Sequence, residues 1–167
     1  FGRHSVNAKP ENAAVWNGTL KEPTRGGDGS SEATPILIYT AEELAWAVNN
    51  GGTKHYKLVA DIYLNDIDSI DFTTGTPIEG YTPNSWFFDN KTTDGYYKNA
   101  NDGNVVFKGS LNGNGHTVYG LYYTPGNAYS TVGLIPATNG AKITNLELRS
   151  AFVCGGRWTA PLVGYAT

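Results

Sequence analysis

One stretch of the sequence, residues 107–148, contains two copies of a similar apolar pattern. Val118 and Leu121 in the first copy correspond to Ile143 and Leu146 in the second, at a constant offset of 25 residues. A fixed period of this size is typical of solenoid proteins, in which each repeat buries its apolar face only by stacking on the next. The pattern therefore predicts a solenoid.

A second, looser repeat lies further along the chain. Residues 132–137 resemble residues 160–165, with Leu134 standing 28 residues before Leu162. Between the apolar runs, Asn112–Gly115 supplies residues that accept positive φ, which favours a sharp turn between two strands. We expect Asn145 to lie at a bend and to hydrogen-bond a neighbour in the adjacent repeat.

The composition limits the class of protein. Of the 167 residues, 16% are charged, against about 25% in an average globular protein, while 21 are glycine and 11 are tyrosine. Low charge with many glycines and tyrosines favours a β-rich extracellular protein over a cytosolic enzyme. The net charge of -3 and the scattered basic residues argue against a nucleic-acid partner. No stretch approaches the roughly 18 apolar residues of a membrane span.

The chain divides into a leader and a β-rich domain. Residues 1–34 are polar and interrupted by prolines, which predicts an extended leader with Val15–Trp16 packed on the core. Residues 35–167 form the domain, and residues 65–104 form a long insertion in it. The chain starts at Phe1 without Met and stops within a repeating pattern, so we expect a piece of a longer precursor.

The start of the domain has clear local signals. Ile36–Tyr39 is a short β-forming run, and Thr40 and Glu43 have the spacing of a capping box for a short helix. Residues 55–64 alternate apolar and polar side chains, which predicts a single strand with Leu58 and Ile62 on one face. A helix before a run of strands is what covers the open end of a solenoid.

The phrases GSLNGNGHT (residues 109–117), VGLI (132–135) and ITNLEL (143–148) resemble the GLUG-type repeats of bacterial surface proteins. The resemblance covers residues 35–167. It implies an all-β fold, a right-handed parallel β-helix related to the pectate-lyase architecture, with a short N-terminal capping helix. It also implies a secreted or cell-surface location in a bacterium. The family includes adhesins, polysaccharide-associated proteins and accessory regions of surface proteases, so it implies no single activity.

Aromatic and amide side chains crowd the long insertion. Such rings stack on the apolar faces of sugars while amides bond to hydroxyls. The sequence therefore predicts glycan contact through Trp86, Phe88, Tyr96, Tyr97 and Asn99. The alternative is that the insertion folds back and its rings cover the flank of the solenoid.

Three aspartates, Asp66, Asp68 and Asp71, form the only dense acidic cluster. A solvated loop, a calcium site and a catalytic pair are the three interpretations. Calcium is the one cofactor considered, and no catalytic residue is predicted. The single cysteine, Cys154, excludes an intrachain disulfide and is expected to pack as a small apolar residue.

The sequence as a whole predicts a non-enzymatic surface adhesin or scaffold. Its expected partner is a glycan, bound through the insertion, or a protein on a host or cell surface. One alternative is a structural protein whose C-terminal edge is completed by other copies or by the rest of the precursor. Another is a fragment of a polysaccharide-degrading enzyme, which requires acids on at least two adjacent repeats.

Overall fold

The structure, a computed structural model, describes residues 9–50, 52–86, 106–124, 131–155 and 158–166. Within these ranges it contains one helix, α1, at Ala41–Asn50. The strands are β1 Arg25–Gly26, β2 Ile36–Ile38, β3 His55–Leu58, β4 Ile62–Tyr63, β5 Ile70–Asp71, β6 Thr76–Pro77, β7 Ser110–Asn112, β8 Thr117–Tyr119, β9 Tyr122–Tyr123, β10 Thr131–Val132, β11 Ile135–Thr138, β12 Lys142–Thr144, β13 Glu147–Arg149, β14 Phe152–Val153, β15 Trp158–Thr159 and β16 Val163–Ala166. None of the described helical segments is long and apolar enough to cross a membrane.

The predicted right-handed parallel β-helix is wrong. The described strands form six small sheets of two to five strands: one mixed, four parallel and one antiparallel. None of them is closed, and the described residues show no solenoid. The largest sheet has the order β1-β2-β3-β7-β12, and a three-stranded sheet has the order β13-β8-β4. Strands of two to four residues make separate short ladders, whereas the apolar repeat predicts continuous ladders along a solenoid.

The 25-residue offset does not correspond to a strand register. Val118 pairs with Leu148, 30 residues later, whereas Ile143 pairs with Leu111. Similar apolar spacing therefore aligned residues that do not face each other across a ladder. The looser 28-residue repeat does correspond to a register, because Ile135 pairs with Val163.

The capped helix is confirmed. The Glu43 backbone N–H donates to Thr40 Oγ1 at 3.3 Å, so Thr40 satisfies one of the free donors of the first turn. The Glu43 carboxylate accepts the Tyr39 N–H at 2.7 Å and faces Arg25 Nη2 at 2.8 Å. The helix buries Leu44 completely against the strands.

The core lies between α1 and the inner faces of the two largest sheets. It includes Ile38, Leu58, Ile62, Leu111, Val118, Leu121 and Leu134, all at most 2% exposed. Trp16 is 3% exposed and belongs to this cluster, which confirms that this part of the leader packs on the core. The predicted single strand over residues 55–64 is instead split into β3 and β4. Cys154 is exposed, so its predicted burial is wrong.

The turn residues behave largely as expected. Asn114 and Gly115 have φ of 53° and 80°, and Asn145 has φ of 51°. Asn145 Nδ2 donates to Asn112 Oδ1 at 3.3 Å across two adjacent strands. Gly113 is required for space, because a Cβ there would lie 2.3 Å from the Asn145 carbonyl oxygen.

Candidate functional site

The outer face of the three-stranded sheet β4-β8-β13 carries a connected set of polar side chains from several chain segments. Ile62, Val118 and Leu148 are in register across this sheet and point into the core. Because side chains alternate along a strand, the residues before and after these three point outward. The outer face therefore has two rows, one starting at Asp61 and one at Tyr63.

The first row holds Asp61, Thr117 and Glu147. With His116 from the turn before β8 and Arg149 from the end of the second row, they form a connected cluster that we call the ionic row. Asp61 Oδ1 accepts the Thr117 N–H at 3.0 Å and lies 3.2 Å from His116 Nδ1. Thr117 Oγ1 donates to Glu147 Oε2 at 3.0 Å. Arg149 Nε donates to Glu147 Oε1 at 2.6 Å. These bonds link five residues: one directly before β4, one in the turn before β8, one in β8 and two in β13.

The ionic row keeps Glu147 charged. The hydrogen bonds from Arg149 and then Thr117 lower the pKa of Glu147, against a smaller opposing effect of the Asp61 charge. The same Glu147 bond raises the pKa of Arg149. The side chains of Asp61 and Glu147 are nearly half exposed, so a ligand in solution can reach both carboxylates.

The rest of the second row is aromatic. The rings of Tyr63 and Tyr119 stack at 4.7 Å with an interplanar angle of 6°, and both residues are at most 9% exposed. A cavity of about 160 Å³ adjoins this stack. Its walls include Val15, Tyr39 and Glu42, and it also reaches Asp61 and Tyr63. The carboxylate at one end of the ionic row thus opens onto a small, partly apolar cavity.

The aromatic residues predicted to bind glycans fall into two groups. Trp86 is 2% exposed, donates from Nε1 to the Leu134 carbonyl at 3.0 Å, and packs edge-to-face on Trp16 at 4.8 Å. A ring buried in this way cannot stack on a sugar, so it follows the alternative in which the insertion covers the core. The other predicted residues, Phe88, Tyr96, Tyr97 and Asn99, lie outside the described residues.

Of the predicted metal residues Asp66, Asp68 and Asp71, the carboxylates of Asp66 and Asp71 stabilise turns. Asp66 accepts the Asp68 N–H at 3.3 Å and the Ser69 hydroxyl at 2.9 Å. Asp71 accepts the Thr73 N–H at 2.9 Å, and this bond is the main cause of its lowered pKa. Within the described ranges, no group of three or more His, Cys, Asp or Glu side chains is arranged to hold a metal ion.

Asn65 is a residue that no sequence motif singles out. It is fully buried, and its Nδ2 donates to the carbonyls of Asn84 and Gly120, both at 2.9 Å. Its Oδ1 accepts the Asn84 N–H at 2.7 Å and the Tyr81 hydroxyl at 3.2 Å. Asn65 therefore fixes the described start of the insertion to β8 and its flanking turn.

The ionic row was also missed. Asp61 and Glu147 are 86 positions apart, so no local motif joins them. The alternation of residues 147–149 could have predicted that Glu147 points outward. It could not have predicted which residue Glu147 meets across the sheet.

Comparison with known proteins gave one relative. No family model and no solved structure matches the chain. The chain is 34% identical over 158 residues to halomucin of Haloquadratum walsbyi (strain DSM 16790 / HBSQ001). The match covers 85% of this chain but 2% of halomucin, so the chain spans a very small part of that relative's length. This relative is archaeal, so the predicted bacterial origin gains no support; the GLUG resemblance stays a prediction.

Proposed function

We propose that this chain is a module of an extracellular surface or secreted protein, and that it binds glycans through the ionic row and the adjoining cavity. The similarity to halomucin is compatible with an extracellular surface role. Glycan binding is the finer part of the proposal, and it is carried by one observation: reachable carboxylates from two strands flank a threonine and end at a cavity with tyrosine walls.

Chemistry of this kind suits sugars. Carboxylates accept hydrogen bonds from hydroxyl pairs, the Arg149 guanidinium donates to ring and hydroxyl oxygens, and aromatic walls contact the apolar face of a sugar ring. The side chains already hold one another in place, so less side-chain entropy is lost when a ligand binds.

The polysaccharide-degrading alternative finds less support in this geometry. Asp61 and Glu147 do lie on strands on either side of β8, as that alternative requires. A general acid, however, needs a raised pKa so that it is protonated at neutral pH. The pKa of Glu147 is lowered, because the hydrogen bonds from Arg149 and Thr117 outweigh the opposing effect of the Asp61 charge.

The test is a glycan-array and polysaccharide pull-down screen with the whole 167-residue chain. We expect Asp61→Asn and Glu147→Gln to lose binding while they keep the wild-type circular dichroism spectrum. Glu32→Gln is the matched control, because it also removes an exposed, ion-paired carboxylate, the partner of Lys142 at 2.8 Å on another sheet.

Two outcomes would contradict the proposed site. Binding that survives in both ionic-row variants would exclude the row. Binding that disappears only in a Phe88→Ala, Tyr96→Ala, Tyr97→Ala variant would move the site to the insertion predicted from the sequence. The absence of binding in all proteins would leave a scaffold role for the module.

A further inference from the structure

The described strands that follow Gly140 share an unusual property. Strands β12, β13, β14, β15 and β16 each pair with an earlier strand on one side, and no described strand pairs with their other side. We call this set of free strand edges the C-terminal edge. An unpaired edge presents rows of N–H and C=O groups that bind another strand readily.

On three of these sheets, other backbone segments cover part of the opposite side. Strand β1 pairs with β2 at the far end of the largest sheet. Val15 bridges to Tyr63 beside β4, and the Trp86 N–H donates to the Tyr122 carbonyl beside β9 at 2.8 Å. A head-to-tail stack of copies would need this side to be open, so a second copy meets the C-terminal edge only with its own C-terminal edge.

The direction of the free groups can be determined strand by strand. In β13, the Glu147 N–H and the Arg149 carbonyl bond to residues of the β8 segment. Backbone groups alternate sides along a strand, so those of Leu148 point to the free edge. The same argument applies to Ile143, between the bonded Lys142 and Thr144, and to Val153, between the bonded Phe152 and Cys154.

These free residues are symmetric about Leu148. An antiparallel copy with Leu148 opposite Leu148 places Ile143 opposite Val153, since each is five positions from the centre. In each of these pairs, the backbone N–H and C=O groups of the two residues point toward each other. This is the arrangement of a hydrogen-bonded pair in an antiparallel ladder. The bends at Asn145 and Ser150, with φ of 51° and 53°, lie three positions before and two positions after this centre, so the corners of the two copies meet within one residue.

The charges agree with the same register. Glu147 lies opposite Arg149 of the second copy, and the reverse pair forms by symmetry. Such non-hydrogen-bonded pairs bring side chains closest together. Half-buried Leu148, Ile143 and Val153 pack on the core from this edge, and a second copy would cover their remaining exposed surface.

We propose that two copies of this chain associate through antiparallel pairing of β13 with β13, flanked by pairing of β12 with β14. The interface is two-fold symmetric and closed, so it gives dimers and not filaments. This proposal goes beyond glycan binding and does not depend on it.

The test uses charge reversal at the centre of the interface. Sedimentation velocity over a range of concentrations measures the mass of the 18.0 kDa chain, and we expect a dimer. Glu147→Arg places arginines opposite arginines, and Arg149→Glu places glutamates opposite glutamates. Each single variant should weaken dimerisation on the order of tenfold, because two like-charge pairs replace two opposite-charge pairs.

Two matched combinations separate the interface from the fold. The double variant Glu147→Arg, Arg149→Glu restores opposite charges in the same register and should dimerise again. A mixture of the two single variants should form a heterodimer more readily than either forms a homodimer. Circular dichroism and thermal unfolding of each variant monitor the fold, because both substitutions also change the pair within the chain.

A cross-link tests the register itself. The proposed ladder places Cys154, which is exposed, opposite Lys142 of the second copy. A short thiol-to-amine cross-linker applied to a mixture of ¹⁵N-labelled and unlabelled protein should join these two residues between copies. A monomer at every concentration would overturn the proposal, and so would a dimer that is indifferent to both charge reversals.

Discussion

Truncation of Trp86 distinguishes a core residue from a glycan-binding residue. Trp86→Ala removes a side chain that is 2% exposed and contacts Trp16 edge-to-face. Removing a buried tryptophan costs about 3–5 kcal/mol, and the Leu134 carbonyl loses the indole N–H that it accepts at 3.0 Å. We expect a loss near the upper end of that range, which is a large part of the roughly 5–15 kcal/mol that stabilises a typical domain.

Trp86→Phe is the matched variant. It keeps a ring against Trp16 but removes the N–H, so the Leu134 carbonyl remains buried without that donor at a cost of about 1–3 kcal/mol. Urea unfolding monitored by circular dichroism measures both variants. With a slope of roughly 2 kcal/mol per molar urea, the midpoint should fall by about 1.5–2.5 M for alanine and by about 0.5–1.5 M for phenylalanine.

The result that would refute this reasoning is specific. A Trp86→Ala protein with the wild-type urea midpoint would show that the indole is not part of the core. If that protein had also lost binding to a glycan that the wild type binds, Trp86 would be a binding residue, as the sequence alone suggested.

Three further predictions concern other parts of the structure. Asn65→Asp replaces two donated hydrogen bonds with a buried carboxylate. It should destabilise the chain by several kcal/mol, on the order of 1–3 kcal/mol per unpaired carbonyl. Urea titrations should show a larger loss at neutral than at acidic pH, because the carboxylate is charged at neutral pH. Gly113→Ala should unfold far more easily than Gly115→Ala. A Cβ at Gly113 lies 2.3 Å from the Asn145 carbonyl oxygen, whereas Gly115 faces open space and only its positive φ costs roughly 1–2 kcal/mol. Equal melting temperatures of the two variants would contradict this. Hydrogen bonds from Ser30 and then Thr34 lower the pKa of Asp28 from 3.8 to about 2. Its stabilisation is therefore present above pH 3.8 and is lost as the pH falls through about 2. Asp28→Asn should lower the melting temperature at pH 6 and have a much smaller effect near pH 2.

Elements that depend on contacts within one turn could be predicted from the sequence. The capping box at Thr40 and Glu43 predicted α1, because a helix start depends on contacts within one turn. The bend at Asn145 followed from its tolerance of positive φ and its short side chain, and both are local properties. The β-forming run at Ile36–Ile38 became β2 for the same reason.

Strand register was beyond the sequence. The 25-residue apolar offset was visible, but the ladders join Val118 to Leu148 and Leu111 to Ile143. Turn lengths and the geometry of each bend set these pairings, and several registers keep the apolar residues inside. The same limit explains the incorrect β-helix, because apolar periodicity does not state whether short ladders join into continuous sheets.

By itself, therefore, the sequence determined several local elements of this protein: where the helix begins, that Ile36–Ile38 forms a strand and where the backbone bends at Asn145. Only the tertiary structure decided which residues meet. It buried Trp86, brought Asp61 beside His116 and Thr117, and left the groups of Leu148 at a free edge. The physical reason is that local preferences depend on neighbours within a few residues, whereas burial, ion pairing and free edges depend on contacts across tens of residues.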